Sequence, residues 1–183
     1  MNRMTTAQEM MEYCEENELG FGASKRWSRR HFRLIEQALG DDEFALVSFI
    51  ALHNYKTLLL NEHHYAYAFT NKRIIIAHQK IIGRKVQIIT YENLNDVTLN
   101  TRLIIGLITV DSIRETFNVG TWKRGAVNIN HEIQQALLRI EKMNKTQQET
   151  DAAYEIWRYK QLLDSGAITW QEYEMMKKRL LGL

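Results

Sequence analysis

The chain has 183 residues, a net charge of +2, 45% hydrophobic and 25% charged residues, and one cysteine. This is ordinary globular composition and argues for one main domain with attachments. A single cysteine excludes an internal disulfide, and so small a net charge gives no support for a nucleic-acid or acidic partner. No apolar run approaches the roughly 18 residues needed to span a bilayer. The opening MNRMTTAQEMMEYCEENELG has no apolar signal core and no cleavage pattern, so a cytoplasmic protein is expected.

Residues 4–19 read as a helix, with Thr5 and Gln8 at capping-box spacing and a loose stripe of Met11, Tyr13, Cys14 and Leu19. GFG at 20–22 breaks it. This segment is acidic (Glu9, Glu12, Glu15, Glu16, Glu18) and the next is basic (Lys25, Arg26, Arg29, Arg30, Arg33). Such blocks mark an interaction surface or two helices that pair. SKRWSRRHFRLIEQALG reads as a second helix, capped by Ser24 and closed by Gly40. At 100° per residue Arg26, Arg29, Arg30 and Arg33 share one face, and Trp27, Leu34, Ile35, Ala38 and Leu39 gather opposite.

From Asp42 the pattern changes. EFALVSFIAL, HYAYAFT, RIIIAHQ, RKVQIIT, DVTLNTR, LIIGLITVD and IRETFNVG are seven short runs rich in β-branched and aromatic residues, most of them separated by polar breaks. FTNKRI has the length of a two-residue hairpin at Asn71-Lys72, where asparagine tolerates positive φ. Seven strands at hairpin spacing predict an antiparallel meander, barrel or sandwich. After Gly120, Ile129, Ile133, Leu137 and Ile140 recur on one helical face, suited to packing across an open barrel end. NKTQQETD at 144–151 lacks apolar residues and reads as a polar linker. Two short helices follow, with Gly166 as the C′ residue of the first and Thr169 with Glu172 as a capping box for the second.

The stretch YAFTNKRIIIAHQKIIGRKVQIITYENLNDV, followed by LIIGLITVDS and ETFNVG, resembles the YokE-like bacterial pleckstrin-homology domains over about residues 42–142. That resemblance implies a seven-stranded, strongly bent antiparallel barrel capped by a C-terminal helix, the same count as the residue pattern. Residues 156–183, IWRYKQLLDSGAITWQEYEMMKKRLLGL, resemble the short C-terminal module called SHOCT. Both resemblances imply a bacterial or phage origin, and YokE-like proteins resemble prophage-associated reading frames. Residues 1–40 resemble no family. Eukaryotic relatives bind phosphoinositides through basic residues of the first hairpin loop. Here HNYKTLLLNEHH offers only Lys56 and three histidines, so that site is not carried over.

Motifs for catalysis are absent: no HExxH, CxxC, GxSxG or P-loop. GFG is half a glycine fingerprint without a preceding strand. His63 and His64 beside Glu62 point to opposite sides of an extended chain, which disfavours one shared metal. His31, His53, His78 and His131 are scattered along the sequence. Glutamates around Cys14 raise the pKa of its thiol and favour a packed cysteine.

The expected architecture is α+β: a helical segment at 1–40, a seven-stranded pleckstrin-homology-like barrel with its capping helix at 41–145, a linker at 146–151 and a two-helix hairpin at 152–183. The expected function is a non-enzymatic interaction or scaffold protein without cofactor or metal. The hairpin is too short to own a core, so its apolar face (Ile156, Tyr159, Leu163, Ile168, Tyr173, Met176, Leu180) is expected to be covered by its own barrel, a second copy or another protein, with a homo-oligomer preferred. The alternative is peripheral binding to an anionic membrane through Lys25, Arg26, Arg29, Arg30 and Arg33. A third reading is peptide capture at an exposed strand edge.

Overall fold

The computed structural model describes residues 3–20 and 24–183. In chain order these form α1 (Ala7–Glu16), α2 (Lys25–Glu36), β1 (Ala45–His53), β2 (His64–Thr70), β3 (Arg73–Gln79), β4 (Arg84–Thr90), β5 (Leu94–Thr101), β6 (Ile105–Ser112), β7 (Thr116–Trp122), α3 (Lys123–Asp164) and α4 (Trp170–Leu181). The contacts divide the chain into two compact units, Met1–Leu137 and Leu138–Leu183.

In the first unit all seven predicted runs are strands of one antiparallel sheet in the order β4-β3-β2-β1-β7-β6-β5, curled into a half-barrel. Its edges are β4 and β5. β1 is buried along its whole length, β2 at all but its first residue, and β3 at Ile74, Ile75, Ile76 and Ala77. A strand covered on both faces reads as a continuous apolar run, and ALVSFIALH and RIIIAHQ do. β6, covered on one face, alternates in burial residue by residue.

The second cover comes from the N-terminal helices. Met10, Leu19, Phe32 and Ile35 are fully buried. Met4 pairs with Ala45 in an isolated bridge (N–H to O 3.0 and 2.8 Å), and Ser48 Oγ donates to the Met10 carbonyl at 2.8 Å. The described part of the N-terminal helical segment therefore shares the core of the strands. α1 is capped by Thr6 with Glu9, one residue later than the Thr5–Gln8 expectation, and it ends at Glu16. Glu18 takes the left-handed conformation (φ 56°), and Leu19 N–H reaches back to the Cys14 carbonyl at 2.8 Å, closing the helix while burying Leu19. Of the predicted GFG break, Phe21 and Gly22 lie outside the described residues. Ser24 does occupy the N-cap of α2, without a side-chain cap bond. That helix ends at Glu36, four residues before the glycine expected to close it.

The two-residue turn at Asn71-Lys72 is present, but Asn71 is not at positive φ. Thr70 Oγ1 accepts the backbone N–H groups of Lys72 (3.1 Å) and Arg73 (2.9 Å). Asn71 serves through its side chain: Oδ1 accepts Phe44 N–H at 3.0 Å, and Nδ2 donates to the Asp42 carbonyl at 3.0 Å. Beneath the turn, Arg73 donates to both carboxylate oxygens of buried Glu43 (3.0 and 2.9 Å). Burial alone would raise the Glu43 pKa. Hydrogen bonds from Arg73, Thr70 and Gly40 outweigh it and hold the carboxyl below its ordinary value.

α3 begins directly after β7. Ile129, Ile133 and Ile140 of the predicted stripe are buried and Leu137 is half-buried. The early turns sit close on β6 because position 106 is glycine: a Cβ there would lie 2.3 Å from that of Ala126.

The linker expected at 146–151 is helical, in the middle of α3. Polarity alone does not break a helix. The stretch has no glycine or proline, its two glutamines and its glutamate are good helix formers, and Gln147 Nε2 donates to Asp151 Oδ1 at 2.8 Å. In the second unit, α3 ends in a Schellman turn. Gly166 (φ 75°) donates to the Leu163 carbonyl at 3.0 Å and Ala167 to that of Leu162 at 2.9 Å. Thr169 and Glu172 then form the capping box of α4. Among the described residues no helix is long and apolar enough to cross a membrane.

Candidate functional site

The sequence separates its histidines; the sheet brings them together. Residues of α2, the β1–β2 loop, β2 and the β3–β4 hairpin line one cleft of about 1070 Å³, and His31, His63, His64 and His78 are among its walls. A column of rings runs inward from the rim. His63 and His78 are 6.3 Å apart between centroids, His78 and Tyr65 4.4 Å, and Tyr65 and His53 4.3 Å, all within 20° of parallel. His31 tilts against His78 at 5.2 Å. His53 Nδ1 lies 2.7 Å from the hydroxyl of fully buried Tyr67.

Burial sets the protonation of His31, His53 and His78. His31 and His53 are 3% and 2% exposed. Desolvation, helped at His31 by His78 and His64, pushes both rings down to about 4. For His78 burial likewise lowers the pKa, opposed by its hydrogen bond to the His64 carbonyl at 2.8 Å. Neutral His31 ties α2 to the last residue of β3, because its Nδ1 accepts the backbone N–H of Gln79 at 2.9 Å. Among the described residues no group of three or more His, Cys, Asp or Glu side chains is placed to hold a metal ion.

Beside this cleft, α2 and the β3–β4 hairpin form a groove of about 450 Å³ whose cations are Arg30, Arg33, Lys80 and Arg84, with no carboxylate in its lining. A second groove of about 340 Å³ follows α2 past Lys25, Arg26 and Arg29. The basic stretch of the sequence supplies five of these cations; Lys80 and Arg84 are not apparent from it. Lys25 pairs with Glu15 at 2.8 Å, both groups well exposed, so the contact is weak. Among the described residues Arg26, Arg29, Arg30 and Arg33 form no ion pair. The seam of pairs between an acidic and a basic helix therefore amounts to one contact. Trp27, expected on the buried side, is 38% exposed and lies under the Arg30 guanidinium at 5.2 Å. It stands one turn before the first buried residue of α2, His31.

The other predicted residues are distributed differently. Tyr173 is buried, and Ile156, Tyr159, Leu163, Ile168, Met176 and Leu180 are half-buried in the monomer. The exposed apolar side chains of that unit include Tyr154, Trp157, Leu162, Trp170, Met175 and Leu181. Cys14 is buried, and its thiol is pushed up to about 12 chiefly by burial, with Glu15 adding to the rise.

No curated protein matches the chain. Among solved structures it is similar to a DUF1696 family protein with a pleckstrin-homology domain from Shewanella loihica PV-4, at 16% identity and a TM-score of 0.30, over 49% of this chain and 74% of that one. The family model described as Bacterial PH domain matches residues 39–136, more than half of the 183 residues and the whole of the seven-stranded sheet. The chain therefore belongs to the bacterial PH domain family.

Proposed function

We propose that this is a non-enzymatic, cytoplasmic interaction protein: a YokE-like PH body carrying a SHOCT-like hairpin, at about residues 152–183, that brings copies of the chain together. The observation behind this reading is the second unit's surface. Trp157 and Trp170 are 58% and 61% exposed, alongside Tyr154 and Met175. Exposed aromatic rings of this size are typical anchors of protein contacts. The half-buried stripe from Ile156 to Leu180 contributes where it borders them. Association is helped by tethering, because a weak hairpin contact suffices once a second contact raises the local concentration toward the millimolar range. Light scattering on the full chain should give a mass above that of a monomer. Removal of residues 151–183, or Trp157→Ser with Trp170→Ser, should return it to the monomer value. An oligomer unchanged by both alterations would refute the reading.

A second reading has its own support. The unpaired cations of α2 favour reversible attachment to an anionic membrane surface, each worth on the order of 1 kcal/mol near the leaflet. Flotation with anionic vesicles, strong at low salt and weak at high salt, is the expected result; flotation unaffected by salt would count against it.

A further inference from the structure

The β3–β4 hairpin carries an apolar tip that the basic helix alone does not explain. Ile81 and Ile82 are 93% and 89% exposed, while the turn that presents them is firmly built. Lys80 N–H donates to the Gly83 carbonyl at 3.2 Å, and Gly83 takes φ 88°. Gln79 Nε2 donates to the carbonyls of Lys80 and Gly83, both at 3.0 Å. The base of the same turn is fastened to α2 through His31. Two isoleucines are thus held in water beside Trp27 and the cations Arg30, Arg33, Lys80 and Arg84.

We propose that this hairpin tip is a bilayer-insertion point: Ile81 and Ile82 enter the acyl boundary of an anionic membrane while Arg30, Arg33, Lys80 and Arg84 contact its phosphates. The proposal rests on the membrane reading above and adds to it a site and an orientation. Charge favours a lipid surface as the occupant, since four cations without a carboxylate line the groove and three more continue along α2. Exposure agrees. The tip leaves both isoleucine side chains almost wholly in water, and an amphipathic edge of cations flanking isoleucine and tryptophan is what an interfacial site requires. His31 is a positioning residue here, holding the hairpin against α2 so that tip and cations act on one plane.

The test uses the full chain and vesicles of phosphatidylcholine with or without phosphatidylglycerol. Cys14 is buried, so Ile82→Cys gives a single accessible thiol for an environment-sensitive dye. The dye should shift to the blue and become shielded from an aqueous quencher only when phosphatidylglycerol is present. Ile81→Ser with Ile82→Ser should weaken vesicle partitioning about tenfold. Leu59→Ser, in the β1–β2 loop, should leave it unchanged. If the chain binds anionic vesicles but the dye stays in water, or the double serine variant binds as well as the native chain, insertion is wrong and the basic-helix reading survives. If the native chain does not bind, both fail. Loss of binding in Leu59→Ser but not in the isoleucine variant would move the contact to another loop and overturn the proposal.

Discussion

At the scale of single residues, the buried histidines make stability depend on pH in a definite direction. His31 and His53 titrate near 4 in the folded chain and near 6.5 when unfolded, so between those values only the unfolded chain gains their protons. Their contribution is complete above pH 6.5 and lost as pH falls toward 4. At pH 5 each removes about 2 kcal/mol of stability. Glu43 acts in a lower window: its folded pKa is depressed, so its contribution persists above the ordinary carboxylate value and falls only below it. Urea midpoints should therefore drop between pH 7 and pH 5, and His31→Phe should flatten part of that slope; an equal slope in the variant would show that His31 does not titrate on unfolding. The sequence displayed each histidine but not its setting. His31 meets Gln79 across 48 positions, and only the sheet closes that distance.

At the scale of elements, local chemistry was a dependable guide to where chains turn and an unreliable one to what they leave exposed. The Gly166 turn and the Thr169–Glu172 box were legible because each is settled within a few residues by φ and by side-chain reach. The seven strands were legible from their β-branched runs. The 146–151 segment is helical although its sequence reads as a linker, because a polar surface helix and a polar linker have similar composition, and flanking helix decides between them. The seat of α3 on β6 depends on Gly106, a close approach that periodicity does not reveal. Gly106→Ala should force the helix outward and destabilise the fold by about 2 kcal/mol, within the usual range for overpacking. Denaturant unfolding measures this, and a change below a few tenths would mean that α3 yields without penalty.

At the scale of the whole molecule, the two units differ in how much they bury. In the second, only Ile140 and Tyr173 fall among the buried apolar residues, whereas all of β1, nearly all of β2 and the middle of β3 are buried in the first. Protection against hydrogen exchange follows burial and cooperative packing. Amides of 150–181 should therefore exchange well before those of β1–β3 at equal pH, as followed by mass spectrometry. Equal protection would mean that an additional contact covers the terminal unit. Such protection arising only at high protein concentration would be the signature of self-association.

The sequence by itself determined the number of strands, the α+β class, the helix caps near the end and the basic face of α2, because these follow from periodicity, φ preferences and contacts within a turn or two. Tertiary structure decided the rest. It packed the N-terminal helices onto the strands, gathered four histidines around one cleft, added Lys80 and Arg84 to the α2 cations, and set Ile81 and Ile82 at an exposed tip. The reason is distance along the chain. These features arise between groups tens of residues apart, whose meeting is determined by strand order and register.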